Sequence, residues 1–577
     1  MKSWKIKEEI TTGNLLDRLL FNRGIKTAKE AEEFLNLDYE NGIHDPFLMK
    51  GMEEAVARVL RAIEANEKIV IWSDYDADGI PGAVVLHDFF KKIGFKNFEN
   101  YIPHRGDEGF GLNFKAIEEL AKNGAKLLIT VDCGIADVEE TARAQELGID
   151  VIITDHHEPT TGQPGKISPA LMILNPKQKD CNYPNKNLCG AGVAFKLVQG
   201  LIKKLMISSS TKLGTAPQRG WEKWLLDMVG LATLSDMVPL IGENRIFAHF
   251  GLLVLRKSPR LGLQQLLWRL KINQRFLSED DIGFMIAPRI NAASRMGQPF
   301  DAFKLLISTD EVEAGKLAAH LDKINQERKG LVAAITKEVR KIMSTRQSVR
   351  RVIVVGNPDW RPSLLGLVAN ALKDDHGKPV FLWGRDGNAI LKGSCRSDGV
   401  NLVALMTEAR EIFVEFGGHA LSGGFTVAEE KIHILEEELD QAYERLVQLI
   451  PSHQWASSGQ VKLEMADAVL SLDEVNADTY GIIEKLGPFG VGNPKPIFLL
   501  KNVSPKIVRQ FGREGNHLEI IFENSVGEKI SAIGFFQKAD DFGQPVKAGD
   551  SFNLAVTLER SYFRRLPEIR LRLVDIF

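Results

Sequence analysis

The sequence lacks a long uncharged apolar run, a pair of closely spaced cysteines and an excess of charge of one sign. Nowhere in its 577 residues does such a run approach the roughly 18 residues of a membrane-spanning helix. The amino terminus, MKSWKIKEEITTG, has no apolar stretch of the kind that a signal peptide carries. The cysteines form no CxxC pair, which argues against a disulfide framework and a thiolate zinc site: Cys133, Cys181, Cys189 and Cys395. We therefore expect a cytoplasmic protein without a membrane partner.

The charges balance over the whole chain. Lys and Arg number 73 against 76 Asp and Glu, a formal net charge of -3. Any polyanionic partner must therefore be held by a local basic surface. Apolar residues make up 44% and charged residues 26%, the ordinary balance of a globular protein. At roughly 150 residues per domain, the length predicts three or four domains.

Short apolar runs alternate with amphipathic segments between Lys68 and Asn175. The runs cover residues 69–72, 126–131, 151–154 and 171–175, and residues 113–122 have a helical pattern. Continuous apolar strands separated by helices are typical of a parallel sheet covered on both faces. The fold class predicted here is α/β, with a doubly wound parallel sheet.

The remaining chain divides by its periodicity. A helical region from Gly192 to Phe303 leads to one long helix predicted from Asp310 to Met343, with Ser308 and Thr309 as its cap and Gly330 as its weak point. A second α/β unit follows, then a Pro- and Ser-rich linker, PSHQWASSG, at residues 451–459. The predicted domains are an N-terminal helical segment (1–45), a catalytic α/β domain (46–305), the connecting helix (306–345), a second α/β domain that binds substrate (346–452) and a β-barrel domain (453–577).

The last 120 or so residues read as short strands separated by turns, which favours a small barrel of the oligonucleotide-binding (OB) type. Arginines and aromatic residues alternate near the carboxyl end: Arg560, Tyr562, Phe563, Arg564, Arg565, Arg570 and Arg572. A basic strand pair with aromatic side chains suits the binding of single-stranded nucleic acid. The alternative is an ordinary solvated barrel edge.

The segment SDYDADG follows the strand at residues 69–72 and places Asp74, Asp76 and Asp78 two residues apart. Carboxylates at this spacing repel one another unless cations lie among them. A calcium-binding EF-hand begins with a similar pattern, but its twelfth position must be Glu, and Val85 stands there. The pattern therefore indicates a different kind of cation site.

Two further strands end in metal-binding residue types. Asp132 follows the strand at 126–131, and Asp155, His156 and His157 follow the strand at 151–154. Ligands of open parallel sheets bind beyond the carboxyl ends of the strands, so we expect these groups to converge. Carboxylates with one or two imidazoles suit Mn²⁺ or Mg²⁺, and two such cations bridged by a carboxylate catalyse displacement at phosphorus. The residues predict phosphoester hydrolysis with Asp76, Asp78, Asp132 and His156 as ligands.

The segments DYDADG, VDCG and TDHH resemble the first three motifs of the DHH phosphoesterase superfamily, and later segments narrow the resemblance to its RecJ family of single-strand-specific exonucleases. LSDMVPL (234–240) is similar to the fourth motif. RINAASRMG (289–297), GSCRS (393–397), FGGHALSGGF (416–425) and GPFGVGNPKPIF (487–498) match in order and content. The similarity runs from about Phe21 to the carboxyl end.

The resemblance implies stepwise hydrolysis of single-stranded DNA from its 5′ end to 5′ mononucleotides, in DNA recombination and repair. It implies that Asp76, Asp78, Asp132, His156 and Asp236 bind two metal ions, with Asp74 in support. His157 would face the scissile phosphate, and His419 in its Gly-rich turn would contact phosphate. The terminal 5′ phosphate would lie against Arg105, Ser394 and Arg396, and Arg289, Asn291 and Arg295 would line the groove that leads to the metals. A helicase and a single-strand-binding protein are the candidate partners.

Two segments depart from the family pattern, at three positions. Trp72 stands where many DHH phosphoesterases carry a His that ligates the first metal. Arg361 and Ser363 stand where a His and a Gly are usual in the second domain. We expect the first change to remove one ligand, and the second to alter either the grip on substrate or the contact between domains.

Two alternatives to the exonuclease stay open at this point. One is hydrolysis of short oligonucleotides or cyclic dinucleotides, against which the extra barrel argues, because a dinucleotide cannot reach from a metal site to a barrel. The other is a catalytically weakened DNA-binding scaffold, which Trp72 and Arg361 suggest and the complete set of carboxylates opposes. The preferred metal, processivity, activity on RNA and oligomeric state do not follow from the sequence, although a site complete in one chain favours a monomer.

Overall fold

The computed structural model describes residues 3–7, 13–159, 168–207, 217–346, 350–449, 463–512, 515–542, 546–562 and 567–577. The chain divides into two compact units. One comprises Ile43–Val238 and Gly242–Ser458, and the other comprises Met1–Gly42, Pro239–Ile241 and Gly459–Phe577. None of the helices in these ranges is long and apolar enough to cross a bilayer.

The amino-terminal segment is built of one strand and three short helices: β1 (Ser3–Ile6), α1 (Leu15–Phe21), α2 (Ala28–Leu35) and α3 (Tyr39–Gly42). Asn14 and Thr27 form capping boxes at the starts of α1 and α2. Leu19 and Leu20 of α1 are buried in the apolar core of the carboxyl-terminal strands. The segment is thus part of the carboxyl-terminal unit, with a strand before its predicted helices.

The first α/β region contains a five-stranded parallel sheet in the order β3-β2-β4-β5-β6. Its elements are α4 (Met52–Glu64), β2 (Lys68–Ser73), α5 (Gly79–Lys92), β3 (Phe98–Tyr101), α6 (Phe114–Lys122), β4 (Ala125–Val131), α7 (Val138–Glu146), β5 (Asp150–Thr154) and β6 (Met172–Leu174). Side chains of β2 and β4 pack against α6 and α7 on one face, while α4 and α5 cover the other. The predicted doubly wound sheet is confirmed.

Helices fill the next 120 residues: α8 (Gly190–Ile207), α9 (Leu226–Ser235), α10 (Gly242–Leu255), α11 (Leu261–Leu270), α12 (Ala287–Met296) and α13 (Pro299–Ile307). A turn of π-helix, Asp281–Ile286, runs directly into α12. Gly230 of α9 and Gly251 of α10 face each other so closely that a Cβ on either would lie within 2.6 Å of the other's Cα. The first α/β region therefore rests on a tightly packed helical layer.

Helix α14 runs from Glu311 to Thr345 and packs against α11, α12 and α13 near its start and against α15 of the second α/β region near its end. The predicted long helix is confirmed. Its cap differs from the prediction, because the side chain of Asp310, rather than Ser308 or Thr309, accepts the hydrogen bond from the Glu313 amide at 2.7 Å.

The second α/β region is a mixed five-stranded sheet in the order β10-β11-β9-β8-β7. Its elements are β7 (Ile353–Gly356), α15 (Pro362–His376), β8 (Val380–Arg385), β9 (Leu391–Arg396), α16 (Leu402–Glu408), β10 (Phe413–His419), β11 (Ser422–Val427) and α17 (Leu435–Leu449). The predicted linker at 451–459 lies outside the described residues.

The carboxyl-terminal unit holds a seven-stranded sheet in the order β13-β14-β18-β19-β17-β16-β15, wrapped on one apolar core. Its elements are β12 (Leu463–Ala466), which pairs with β1, then β13 (Ala468–Val469), α18 (Ala477–Glu484), β14 (Phe498–Val503), β15 (Ile507–Phe511), β16 (His517–Glu523), β17 (Lys529–Phe535), β18 (Phe552–Ser561) and β19 (Glu568–Ile576). This arrangement agrees with the predicted OB-type fold. Short 3-10 turns complete the chain at 46–48, 221–225, 274–276, 410–412, 429–431, 472–474 and 539–541.

Candidate metal centre and phosphate pocket

Seven acidic or histidine side chains from three strand ends and one helix end converge in the first α/β region. Ligand atoms lie within 4.8 Å of one another in three overlapping groups: Asp74, Asp76 and Asp132; Asp132, His156 and His157; Asp78, His156 and Asp236. The strands β2, β4 and β5 are neighbours in the parallel sheet, so the residues that follow them meet at one edge. Asp236 comes from the end of α9. We call this set the acidic centre.

The loop after β2 has a hydrogen-bonded shape that aims its carboxylates. Asp76 accepts hydrogen bonds from the amides of Asp78 and Gly79 at 2.8 and 3.1 Å. Gly79 begins α5, and a Cβ there would lie 2.5 Å from the Asp74 carbonyl oxygen. The glycine is required because the loop folds back on itself at that point.

Asp78 faces the amino terminus of α8, where the amides of Gly190 and Ala191 donate to its two carboxylate oxygens at 2.6 and 2.8 Å. Helix amino termini stabilise negative charge in this way. Burial and the charge of Asp76 nevertheless raise the pKa of Asp78 to about 7. The amides fix the position of this carboxylate without cancelling its repulsion by its neighbours.

His156 lies among three carboxylates. Its Nε2 atom is 3.1 Å from Asp132 Oδ1, 3.7 Å from Asp78 Oδ2 and 3.8 Å from Asp236 Oδ2. Burial and the neighbouring His157 lower the pKa of His156 to about 3, so its imidazole is neutral. A neutral imidazole beside carboxylates is the form in which histidine ligates a metal.

The acidic centre suits divalent cations on two grounds. Burial and the charges of neighbouring carboxylates raise the pKa values of Asp74, Asp132 and Asp236 well above their usual range. In addition, Asp74 Oδ1 and Asp132 Oδ1 are buried, and neither takes part in a hydrogen bond with the described residues. Positive charge between the carboxylates would relieve both costs, and an oxygen-rich donor set with one imidazole fits Mn²⁺ or Mg²⁺.

His157 points to a different partner. Its Nδ1 atom lies 2.7 Å from Asp155 Oδ1, and Asp155 also accepts the amides of Ile135, His156 and His157. Burial alone would lower the pKa of His157, but the hydrogen bond and charge of Asp155 raise it to about 9. Because Asp155 occupies Nδ1, a protonated Nε2 is left for a substrate oxygen. This role of Asp155 was not expected, although its place next to two histidines after a buried strand was a signal.

The second α/β region brings its predicted residues to the same place. The His419 ring lies 5.8 Å from that of His157, nearly parallel to it. Strand register puts His419 opposite Ser422, and Ser422 opposite Arg396, so the three residues form a row across β10, β11 and β9. The Gly-rich turn expected around His419 is the tip of this hairpin.

Arginines gather beside the acidic centre in a set that we call the arginine pocket: Arg105, Arg295, Arg328 and Arg396. The Arg105 guanidinium lies 5.0 Å over the ring of Tyr75, which stands between Asp74 and Asp76. Burial and the charges of Arg105, Arg328 and Arg396 lower the pKa of Arg295 to about 9. Burial also lowers the pKa of Arg396, with a further contribution from Arg105. Cations forced together in this way are suited to a multiply charged anion such as a terminal phosphate.

Space for the Arg396 side chain depends on a glycine of α15. A Cβ on Gly366 would lie 2.7 Å from an Arg396 guanidinium nitrogen. Ser394 lies two residues earlier on β9 and is half-buried, on the same face of the strand as Arg396. Arg328 was not expected from the sequence, because only the course of α14 brings it to the pocket.

One predicted site residue takes part in an ion pair. Arg289 is only 3% exposed, and its guanidinium is bound to Asp322 of α14 and to the Met285 carbonyl. The bond to Asp322 holds α12 against α14, and the predicted place of Arg289 in the groove stays a prediction. Asn291 supports the site by accepting the Ala77 amide at 2.8 Å, which fixes the loop between Asp76 and Asp78.

The departures from the family pattern have distinct surroundings. Trp72 is fully buried, stacks on Tyr101 at 4.3 Å and donates its indole hydrogen to the Gly111 carbonyl at 3.2 Å. Ser363 exchanges hydrogen bonds with Arg295, whose guanidinium donates to the Ser363 carbonyl at 2.7 Å. Ser363 therefore joins the two α/β regions, whereas Arg361 is exposed at the start of α15.

The carboxyl-terminal unit carries an aromatic and basic surface of its own. Arg572 lies 4.1 Å from the Phe535 ring and Arg570 lies 5.8 Å from it. His517 packs on Phe511, Phe535 and Phe536, and Phe536 is 78% exposed. Arg570 is paired with Glu559 and Arg560 with Glu484, which reduces the expected basic character. Phe563, Arg564 and Arg565 lie outside the described residues.

Three family models match the chain in sequence order. The DHH family N-terminal domain matches residues 68–233, the DHHA1 domain matches residues 350–450, and the RecJ OB domain matches residues 466–575. The first contains every residue of the acidic centre except Asp236, which follows its end, and the second contains His419 and Arg396.

Individual relatives agree with the family models. The single-stranded-DNA-specific exonuclease RecJ of Haemophilus influenzae is 32% identical over 93% of this chain and 92% of its own length. The protein of the same name from Bacillus subtilis is 37% identical over 92% of this chain, which spans 64% of the relative's length. The crystal structure of RecJ from Thermus thermophilus in complex with Mn²⁺ superposes with a TM-score of 0.77 at 25% identity, over all of this chain and 79% of that one. Similarity of this extent, together with the three matching family models, establishes that the chain belongs to the RecJ family of DHH phosphoesterases.

Proposed function

We propose that this chain is an exonuclease that degrades single-stranded DNA from its 5′ end, releasing 5′ mononucleotides with the aid of two divalent cations. The observation that carries the proposal is the acidic centre lying beside the arginine pocket within one unit. The first suits metal-assisted phosphodiester hydrolysis, and the second suits a terminal phosphate. An enzyme that holds the chain end next to its cleavage site removes residues from that end.

Within the acidic centre, Asp76, Asp78, Asp132, His156 and Asp236 would hold the cations, and Asp74 would support them. Mn²⁺ or Mg²⁺, when bound, supplies an activated water and neutralises the charge of the phosphodiester. The Asp76 and Asp78 carboxylates are already oriented by backbone amides, so their geometry does not depend on the substrate. Trp72 removes one family ligand, which leaves the first cation with a donor fewer.

His157 and His419 would bind the scissile phosphate beside the carboxylates. With a pKa of about 9, His157 carries a proton at neutral pH and donates it to a non-bridging oxygen through Nε2. Burial and the charge of His157 lower the pKa of His419, so His419 is neutral and contributes one N–H. Asp155 keeps His157 protonated and holds the orientation of its ring.

Arg105, Arg295, Ser394 and Arg396 would bind the terminal 5′ phosphate. A monoester phosphate carries more charge than a phosphodiester, and clustered guanidiniums discriminate between them by bidentate hydrogen bonds. Arg328 would add charge from α14. Because the arginine pocket would bind the 5′ phosphate beside the acidic centre, hydrolysis would start at the 5′ end.

The carboxyl-terminal OB domain would bind the single strand by base stacking and backbone contacts. The surface that suits this role is formed by four aromatic or histidine residues and two arginines: Phe511, His517, Phe535, Phe536, Arg570 and Arg572.

We also propose the domain division 1–45, 46–305, 306–345, 346–452 and 453–577. The first segment shares the apolar core of the last.

The wider assignments follow from the same proposal. A single-strand exonuclease acts where strands have been unwound, so we propose a role in DNA repair and recombination, a cytoplasmic location, and cooperation with a helicase and a single-strand-binding protein. A site complete in one chain needs no second subunit, so we propose a monomer. The alternative of a weakened scaffold has less support, because the buried carboxylates that oppose folding are all present.

Polarity is the feature that tests the proposal most simply. A single strand blocked at its 3′ end should be degraded in the presence of Mn²⁺, and the same strand blocked at its 5′ end should persist. The Asp132→Asn variant, prepared in parallel, controls for contaminating nucleases. Degradation from the 3′ end, or release of short oligonucleotides as first products, would contradict the proposal.

A further inference from the structure

We propose that Phe110 is the stacking platform for the base of the 5′-terminal nucleotide, the one released in each cycle. The inference rests on the proposed function and adds to it a subsite for the nucleobase. It concerns a side chain that neither ligates a metal nor contacts a phosphate.

Phe110 lies between the two places that would bind phosphate. Its ring centroid is 6.4 Å from that of Tyr75, edge to face, and 5.9 Å from that of His157. The Arg105 guanidinium in turn lies 5.0 Å from the centroid of the Tyr75 ring. A continuous row of rings therefore connects the arginine pocket to the histidine beside the acidic centre, and Phe110 is in its middle.

The product of each cycle determines which part of the substrate lies beside Phe110. Release of a 5′ mononucleotide means that one nucleoside separates the terminal phosphate from the scissile phosphate. With these phosphates at Arg105 and His157, the single base between them lies beside Phe110. Of the described residues in the row, Phe110 has the most exposed ring, with 51% of the residue accessible.

Hydrogen bonds on both sides of Phe110 fix the loop that carries its exposed ring. On one side, Glu108 accepts the His104 amide at 2.6 Å and the Asn113 side chain at 3.1 Å. On the other side, Asp137 accepts the Leu112 amide at 2.7 Å, and Trp72 donates to the Gly111 carbonyl. The flanking Gly109 and Gly111 have positive φ, and a Cβ on Gly111 would meet the Asp137 carboxylate at 2.4 Å. The backbone is thus fixed on both sides of an apolar ring that faces solvent.

Trp72 gains a function in this arrangement. In place of a family ligand, its indole anchors the loop that presents Phe110. A phenyl ring has no hydrogen-bond donor or acceptor, so it stacks on every base alike. We therefore expect little dependence of cleavage on the identity of the terminal base, as degradation of a mixed sequence requires.

The experiment compares two 5′-phosphorylated single strands that differ only at the 5′ end, one with a normal nucleotide and one with an abasic residue. Phe110→Ala should lower kcat/KM about ten-fold on the normal strand and leave the abasic-ended strand within about two-fold of wild type. Phe110→Trp should restore cleavage of the normal strand. Phe276→Ala, at another phenylalanine with 45% exposure, is the matched control and should leave both rates unchanged.

Binding without cleavage gives a second readout. In the Asp132→Asn background, a strand with 2-aminopurine at its 5′ end should lose fluorescence on binding, and adding Phe110→Ala should prevent that loss. Equal losses of rate on both strands, or unchanged quenching without Phe110, would overturn the inference. If wild-type protein fails to degrade single strands from the 5′ end, the proposed function fails, and the quenching experiment still decides whether Phe110 stacks on a base.

Discussion

Individual carboxylates in the acidic centre oppose folding of the metal-free chain. Asp132 is nearly fully buried, has a positive φ of 62°, and is repelled by Asp78, Asp76 and Asp74. Asparagine adopts this backbone conformation readily and carries no charge. Asp132 therefore destabilises the folded metal-free chain, and bound cations would offset this cost.

We predict that Asp132→Asn abolishes hydrolysis, with a loss of at least about a hundred-fold in kcat/KM, because a metal ligand is removed. The same change should raise the melting temperature of the metal-free protein, since it removes repulsion between buried charges. Calorimetry in EDTA and a nuclease assay in Mn²⁺ measure the two effects. A variant that is both inactive and less stable would show that Asp132 is mainly structural.

The arginine pocket leads to a prediction about the substrate end. Arg105→Ala should raise KM for a 5′-phosphorylated strand about ten- to a hundred-fold, because a hydrogen-bonded charge pair is lost. It should change KM little for a strand with a 5′ hydroxyl. Equal effects on the two strands would remove Arg105 from recognition of the terminal phosphate. Lys115 is a nearby basic residue outside the pocket, and Lys115→Ala serves as the control.

Most residues of the acidic centre could be identified from the sequence, because metal ligands after successive buried strands have a short, regular spacing. Asp236, His419 and the arginines followed only from the family resemblance. The ion pair of Arg289 with Asp322, 33 residues later on α14, could not be predicted, because it arises from the packing of two helices. Arg328 reaches the arginine pocket, and Tyr75 contacts Arg105, only through tertiary packing, whereas Asp155 had a local signal in its place beside two histidines.

Among the secondary-structure elements, α14 is the one that joins the two α/β regions within a single unit. It contains Gly330, an exposed residue whose missing Cβ would meet no atom within 4 Å. Glycine within a helix interior costs stability because the unfolded chain gains conformational freedom. Gly330 thus lies within the helix with room for a Cβ, and its role as a weak point stays a prediction.

We predict that Gly330→Ala increases the free energy of unfolding by about 0.5–1 kcal/mol, without loss of activity. The matched control is Gly262→Ala in α11, where the new Cβ would lie 1.7 Å from the Leu305 carbonyl oxygen. That variant should be destabilised by about 1–3 kcal/mol, because a backbone must move. Denaturant titration followed by circular dichroism measures both, and a destabilised Gly330→Ala would contradict the prediction.

Strands with continuous apolar runs, such as β2, β4 and β5, could be predicted because both their faces are buried. The edge strand β3 could not, since Phe98, Glu99, Asn100 and Tyr101 are all half-buried and show no apolar run. The residues expected to form a Gly-rich turn around His419 extend into the strands β10 and β11, because glycines there allow close backbone pairing: a Cβ on Gly418 would lie 2.4 Å from the Ser422 carbonyl oxygen.

For the molecule as a whole, the acidic centre links stability, pH and metal. The pKa of Asp78 is raised from 3.8 to about 7, and those of Asp74, Asp132 and Asp236 are raised too. Between about pH 4 and 7, the folded metal-free chain therefore binds more protons at this centre than the unfolded chain does. The stability that these groups contribute is present below pH 4 and is lost as the pH rises through the folded pKa values.

We predict that added Mn²⁺ raises the melting temperature more at pH 8 than at pH 5, because the cation binds deprotonated carboxylates and relieves their repulsion. Asp78→Asn should reduce this difference, which separates the acidic centre from titrating groups elsewhere. Thermal scans with EDTA or Mn²⁺ at the two pH values make the measurement. An increase that is equal at both pH values would contradict the pKa assignment.

The order of domains could be predicted because each has its own periodicity, but their assembly could not. The amino-terminal segment contributes Leu19 and Leu20 to the core of a domain more than 440 residues away in sequence, a long-range contact with no local signal.

The decisive measurement is a time course with purified protein, Mn²⁺ and a 5′-phosphorylated, 3′-labelled single strand, beside the same strand annealed into a blunt duplex. We predict progressive shortening of the single strand from its 5′ end, with release of mononucleotides, and a duplex that persists. Equal degradation of single strand and duplex would contradict single-strand specificity. Tight, metal-independent binding without hydrolysis would instead show that this chain, with Trp72 at its first ligand position, binds DNA without cutting it.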